Sequence, residues 1–274
     1  MPILNVDQEK CNRDGICIEV CPARIIEFKE TDAFPTLVDE GESFCINCGH
    51  CVAVCPHGAM SHRKMKPADC PPVKKELLLT PEQMEQFLRY RRSIRAYKDN
   101  PIEKELVSRL IDIARYAPSG VNLQPVNWLV IYDSDNVQEL TGLVVDWMRH
   151  LVKEDSPLSA AMHLGRMVSA WEDGKDRICR NAPHLIIANA HKTDRTAPAA
   201  CTIALAYLEL ATVPLGLGAC WAGYFNAAAN FWPPLQTALA LPKDHVCFGA
   251  MMVGYPKFKY HRLPLRNDPR VTWR

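Results

Sequence analysis

Cys45-Ile46-Asn47-Cys48-Gly49-His50-Cys51-Val52-Ala53-Val54-Cys55-Pro56 is the run that fixes the character of the N-terminal part of this chain. Upstream, Cys11, Cys17 and Cys21 recur as Cys45, Cys51 and Cys55, each 34 residues on, and both triplets end in Cys-Pro, at Pro22 and Pro56. This is an internal duplication. Seven of the 12 cysteines lie between Cys11 and Cys55. Residues 1–10 carry Asp7, Glu9 and Lys10 and have no apolar core of the kind a secretory signal needs. The expected compartment is cytoplasmic, where crowded thiolates serve metal rather than disulfides.

The spacing Cys45-x2-Cys48-x2-Cys51-x3-Cys55-Pro56 resembles that of bacterial ferredoxins, in which three close thiolates hold one cluster and the fourth reaches the other. A structural zinc site would take two separated cysteine pairs, which a run of four before proline does not suit. The resemblance implies one 4Fe-4S cluster on Cys45, Cys48, Cys51 and Cys21, and a second on Cys11, Cys17 and Cys55. The repeat maps Cys48 onto Asp14, so the fourth thiolate of the second cluster is replaced by a carboxylate. Asp14 either ligates the fourth iron, leaves a 3Fe-4S cluster, or is a loop residue beside the turn-forming Gly15. Ile16, Ile18, Val20, Ile46, Val52 and Val54 are expected to wrap the clusters, with short strands at 25–28 and 36–38.

Beyond this module, residues 66–89 read as a linker and entry helix. Pro67, Pro71, Pro72 and Pro81 punctuate it, and Thr80-Pro81-Glu82-Gln83 has the form of a helix start, with Met84, Phe87 and Leu88 at helical spacing. Three domain segments follow: 1–65 ferredoxin-like, 66–89 joining, and 90–274. In the last, a helix over 102–116 and strands over 128–132 and 185–189 are the clearest elements. Cys70 lies outside the motifs, and Cys179, Cys201, Cys220 and Cys247 sit in apolar surroundings expected to be core. Cys201 is expected to open an apolar helix.

Four separated motifs of the third segment stand in the order of the nitroreductase family. They are Arg91-Arg92-Ser93-Ile94-Arg95-Ala96-Tyr97, Ala117-Pro118-Ser119-Gly120-Val121-Asn122-Leu123-Gln124-Pro125, Gly216-Leu217-Gly218-Ala219-Cys220-Trp221-Ala222-Gly223, and Gly254-Tyr255-Pro256 followed by Arg262 and Arg266. The segment resembles that family along most of its length. The resemblance implies an α+β fold, a central antiparallel-type sheet flanked by helices, dimerised by exchange of its C-terminal tail. It also implies FMN. Arg91, Arg92, Ser93 and Arg95 are the candidate anion site, since guanidinium forks grip phosphate in two-pronged fashion. Arg95 is the candidate cation near flavin N1 and O2. Pro118, Ser119, Gly120 and Asn122 are implied to cover the flavin from the partner subunit, and Gln124, with Pro125, to lead from this cofactor-binding loop into the strand at 128–132. Trp221, Ala222 and Gly223 are implied to pass its edge, and either Arg262 or Arg266 returns to the phosphate.

With 32 basic and 31 acidic residues, no global field recruits nucleic acid or an anionic membrane. The uncharged stretch 210–242 is long enough to span a bilayer, but Pro214, Asn226, Asn230, Pro233 and Pro234 interrupt it. A buried helix, a Gly-rich turn and a second helix are expected there instead. No Gly-x-Gly-x-x-Gly follows a strand, so no separate nicotinamide domain is expected. The electron donor is either NAD(P)H stacking directly on flavin or a reduced ferredoxin feeding the clusters. The expected activity is an oxidoreductase passing electrons from iron-sulfur clusters to FMN and on to a nitro, quinone or similar small acceptor. No side chain stands out as a catalytic acid. The alternative is an electron-carrier or redox-sensing flavin module without multiple turnovers.

Overall fold

The computed structural model describes residues 2–274. It divides into two compact units. One runs to Leu78 and takes in Val121–Leu123; the other comprises Leu79–Gly120 and Gln124–Arg274. The first unit thus includes most of the stretch read from sequence as a linker.

In the first unit, β1 (Leu4–Val6), α1 (Ile16–Glu19), β2 (Ile26–Glu27), β3 (Thr36–Leu37), α2 (His50–Val54) and β4 (Met60–His62) follow one another. They form two small antiparallel ribbons, β1 with β4 and β2 with β3. The duplication is visible in the backbone. Gly15 and Gly49, 34 residues apart, both take the left-handed conformation, with φ 75° and 72°, and each opens a short helix. A side chain at position 49 would also run into Met65, so Gly49 is fixed both by φ and by space. The buried apolar residues are few, Cys17, Val52 and Met60 forming the kernel. So little burial gives a unit of this size only modest hydrophobic stabilisation of its own.

The second unit begins with α3 (Pro81–Tyr90). Thr80 Oγ1 accepts from the Gln83 N–H at 3.3 Å and Gln83 Oε1 accepts from the Thr80 N–H at 3.0 Å, the reciprocal cap its sequence encodes. The chain continues through α4 (Lys104–Ala114), β5 (Asn127–Ile131), α5 (Ser134–Lys153), α6 (Pro157–Ala161) and α7 (Leu164–Glu172). It ends with β6 (His184–His191), α8 (Ala197–Thr212), β7 (Gly218–Trp221), α9 (Gly223–Phe231), α10 (Pro233–Leu239) and β8 (His245–Gly254).

The four strands make one antiparallel sheet in the order β5-β6-β8-β7. Successive side chains of β6 point to opposite faces. Leu185 and Ile187 join one core with Val144, Met148 and Phe225 of α5 and α9. Ile186, Ala188 and Ala190 join the other with Leu110 of α4 and Leu205 and Leu208 of α8. Helices therefore cover the sheet on both sides, which is why β6 is apolar without alternation.

The uncharged stretch 210–242 differs from the sequence expectation. Its Gly-rich middle is a strand, β7, because pairing with β8 outweighs a local composition that reads as a turn. Two short helices follow it, and Cys201 lies inside α8 rather than opening it. Among the described residues no helix is long and apolar enough to cross a membrane.

Candidate functional site

The residue motif 91–97 leaves α3 and runs beside β7. The Ile94 N–H donates to Ala219 O at 2.9 Å and the Lys98 N–H to Tyr255 O at 2.9 Å, while Tyr97 bridges to Pro256. Two glycines permit this close pass. A Cβ on Gly218 would stand 2.9 Å from Ile94 Cβ and 3.0 Å from Pro256, and one on Gly254 would stand 2.7 Å from Tyr97 Cδ1. The Tyr97 hydroxyl donates to Ile94 O at 2.7 Å, and burial drives its pKa far up, so it stays a neutral strut inside the loop.

Held this way, Arg91, Arg92, Ser93 and Arg95 face the C-terminal segment across a cavity of about 960 Å³, lined on the other side by Lys259, His261, Arg262 and Arg266. Both candidate tail arginines therefore meet the same hollow. The three arginines of the loop are not equivalent. Arg91 Nη1 donates to Glu209 Oε1 at 2.8 Å, and Glu209 is 7% exposed on α8. Arg92 Nε donates to Arg91 O at 2.8 Å, and Arg95 Nη1 reaches Ser93 O at 3.4 Å. Much of the donor capacity of Arg92 and Arg95 remains for an anion. Glu209 was not among the residues picked from sequence, although it is the only charged residue in α8. An isolated charge in an apolar helix is the signal that marks it.

The other flavin-motif residues lie elsewhere in the chain. Pro118, Ser119, Gly120, Asn122, Gln124, Trp221, Ala222 and Gly223 do not line that cavity. The Gln124 N–H donates to Ser119 Oγ at 2.9 Å, which closes the loop on itself. Asn122, which folds with the first unit, donates through Nδ2 to Ile46 O and Asn47 O at 3.2 and 3.1 Å. The Ala222 N–H is spent on Ala250 O at 2.9 Å, leaving the first amides of α9, at Gly223 and Tyr224, as the donors of that segment. A Cβ on Gly223 would meet nothing within 4 Å, so the space beside that amide is open to a ligand.

In the first unit the eight predicted metal ligands sort into two groups. Cys21, Cys45, Cys48 and Cys51 line one hollow together with Ile25, Ile26 and His62. Cys11, Asp14, Cys17 and Cys55 line a second, with Asn12, Pro35 and His57. Each hollow thus draws three ligands from one copy of the repeat and one from the other, Asp14 taking the place of a thiolate. Asp14 Oδ1 also accepts from the Ile16 N–H at 3.1 Å, which orients the carboxylate at the start of α1.

Among the described residues no three His, Cys, Asp or Glu side chains converge closely enough to hold a single metal ion. Zinc needs four donors about 2.0–2.3 Å from one centre. In a cluster each ligand takes a different iron, so four thiolates around one hollow need not converge on a single centre. Burial pushes the Cys17 and Cys51 thiols up to about 11, with neighbouring Cys11 and Asp14 adding to the effect at Cys17. A bare thiolate is disfavoured at these places unless iron supplies the countercharge.

The chain's similarities run parallel to these two sites. Residues 88–255 match the model of the nitroreductase family and residues 9–60 that of a 4Fe-4S dicluster domain. An NADH dehydrogenase of Thermus thermophilus is 28% identical over 200 residues, spanning 67% of this chain and 92% of that protein. A seven-iron ferredoxin of Hydrogenibacillus schlegelii is 37% identical over 57 residues, spanning 21% of this chain and 67% of that one. Among solved structures, an FMN-bound nitroreductase from Desulfitobacterium hafniense superposes with a TM-score of 0.57 at 20% identity, covering 71% of this chain and 99% of that one. At that identity the likeness speaks for the fold.

Proposed function

The chain belongs to the nitroreductase family, and on that premise we propose that it is an FMN-dependent iron-sulfur oxidoreductase that reduces a nitro, quinone or similar small organic acceptor. The observation that carries the reading is the sorting of eight ligands into two quartets on a chain whose larger unit has the flavoprotein fold. When bound, the clusters would supply one-electron steps and FMN would pair electrons for two-electron transfer to the acceptor. The protein's own part is binding and electrostatics.

Arg92 and Arg95, with Ser93 and one or both of Arg262 and Arg266, would hold the FMN phosphate and the pyrimidine end of the ring. Cationic guanidinium placed there favours the negative charge that flavin acquires on reduction. Arg91 serves differently, tethered to Glu209 so that the loop carrying the others keeps its shape. The open space at Gly223 would let a flavin edge approach the first amides of α9. Cys21, Cys45, Cys48 and Cys51 would hold a 4Fe-4S cluster, and Cys11, Cys17 and Cys55 a second whose fourth iron depends on Asp14.

We further read the active form as a homodimer of the cytoplasm, fed by NAD(P)H or a reduced ferredoxin. The tail beyond β8 supports a dimer, since Leu265 is 97% exposed and Trp273 90% exposed in the single chain. Large apolar side chains left this bare gain by burial against another surface.

Iron, sulfide and flavin analysis of anaerobically purified protein tests the reading, followed by steady-state reduction of a nitroaromatic and of a quinone with each donor. Two clusters, one FMN and many turnovers per chain are expected. Zinc without flavin would overturn it, and loaded cofactors without turnover would overturn the enzymatic part.

A further inference from the structure

Beside the cysteine quartet of the first hollow stands His62, which the ligand pattern does not use. It is 4% exposed and lines the same space as Cys21, Cys45, Cys48 and Cys51. Its Nε2 lies 3.8 Å from Cys45 Sγ, within reach of an N–H···S hydrogen bond. The other ring nitrogen is already committed, since the Lys64 N–H donates to His62 Nδ1 at 3.0 Å. A nitrogen that accepts a hydrogen bond carries no proton, so the neutral ring keeps its hydrogen on Nε2, facing the sulfur. The backbone holds the ring in place. His62 exchanges hydrogen bonds with Met65, at 2.9 Å in each direction, and pairs with Leu4 in the β1–β4 ribbon.

We infer that His62 raises the reduction potential of the cluster on Cys45, Cys48, Cys51 and Cys21 by donating its Nε2–H to the Cys45 sulfur. The inference rests on the iron-sulfur reading above and goes beyond it, because it separates the two clusters in energy. Reduction adds one electron to a cluster, and the charge spreads onto the ligand sulfurs. A fixed N–H dipole aimed at one of them stabilises the reduced state more than the oxidised one, and hydrogen bonds to sulfur are one of the levers on cluster potential.

The duplication supplies an internal control. The 34-residue shift that relates the cysteine triplets maps His62 onto Phe28, which has no donor and packs its ring beside Gly15. The cluster on Cys11, Cys17 and Cys55 therefore lacks the equivalent of His62, and His57, which lines its hollow, has its Nε2 engaged by Asn12 Nδ2 at 2.8 Å, so a change at position 62 acts on one cluster and leaves the other as a reference.

The test is a potentiometric titration of the full-length holoprotein, followed by electron paramagnetic resonance, for wild type, H62F and H62Q. H62F places in the second copy the residue the first copy already has. It is expected to make the affected cluster about tenfold harder to reduce, about 59 mV for a one-electron couple, with the other potential unchanged. H62Q keeps an N–H donor and is expected to recover more than half of that shift. Unchanged potentials in H62F at full iron and sulfide content overturn the inference, as does an equal shift of both clusters. If H62F fails to assemble its cluster, wild-type protein with 15N-labelled histidine decides. A nitrogen coupling to the reduced cluster that survives H50Q and H57Q supports the inference, and its absence overturns it. A preparation with no iron or sulfide at all would instead fail the iron-sulfur reading itself.

Discussion

Arg91 and Glu209, 118 residues apart in sequence, meet at 2.8 Å with the carboxylate nearly buried and the guanidinium about a quarter exposed. This pair joins the arginine loop, the proposed phosphate site, to α8 in the core. Removing one partner of such a pair strands the other, whereas removing both is much less costly. E209Q should therefore lower the stability of the flavin unit by about 1–3 kcal/mol, and R91M/E209L should recover most of it. Urea unfolding followed by tryptophan fluorescence measures both, and an E209Q midpoint equal to that of wild type would show the pair to be idle.

What the sequence revealed and what it hid follow from the range of the interactions involved. The two quartets that line the hollows of the first unit are legible because Cys45, Cys48, Cys51 and Cys55 are separated by only two or three residues, and the repeat supplied the partner set. The cap of α3 is legible because Thr80 and Gln83 satisfy each other locally. Strand β6 stands out because it is buried on both faces and so runs apolar. β7 does not: its Gly-Ala-Cys-Trp composition is weak as a strand, and only the pairing with β8 makes it one. Glu209 meets the arginine loop only through a tertiary ion pair, and Lys259 and His261 only by lining the same cavity, so the loop's own sequence marks none of them. The two tail arginines could not be told apart by spacing, and both turn out to line the cavity.

Arg92 and Arg95 should separate phosphate recognition from ring recognition. A charge-assisted hydrogen bond to phosphate contributes about 1.5–3 kcal/mol, so R92A should weaken FMN binding by roughly 10- to 100-fold while leaving riboflavin, which lacks the phosphate, nearly unaffected. R95A should weaken both ligands, because its proposed contact is with the ring. Fluorescence titration of flavin-free protein with the two ligands gives the four constants. Equal losses for FMN and riboflavin in R92A would remove it from the phosphate site.

His184 gives the flavin unit a pH dependence of definite sign. Its ring is buried, with Nδ1–H donating to Tyr132 O at 2.6 Å and Nε2 accepting the Ile102 N–H at 2.8 Å, so a second ring proton would face an N–H. Burial, opposed only in part by the Tyr132 bond, lowers the pKa below the ordinary 6.5. The unfolded chain thus takes up a proton near pH 6.5 that the folded chain refuses. The contribution is whole above that pH and is lost as pH falls below it toward the folded value, at no more than about 1.4 kcal/mol per pH unit. Urea midpoints at pH 7.5 and 5.5 should fall with acid in wild type and fall less in H184Q, whose amide can both donate and accept. Parallel slopes would assign the acid sensitivity to other groups.

Asp14 occupies the place of the missing eighth cysteine, lining the second hollow with Cys11, Cys17 and Cys55 while its Oδ1 caps Ile16. Oxygen is a harder ligand than thiolate and holds iron less firmly, so the fourth iron of this cluster should be the first to leave on exposure to air. Wild-type protein should then drop from about eight irons to about seven and gain the signal of a three-iron cluster. D14C restores the full set of thiolates, and it should keep all its iron under the same exposure and never develop that signal. D14A, with no ligand at the position, should already contain the three-iron cluster when purified without air. If wild type and D14A behave alike before any exposure, Asp14 does not hold iron, and its role reduces to capping the helix at Ile16.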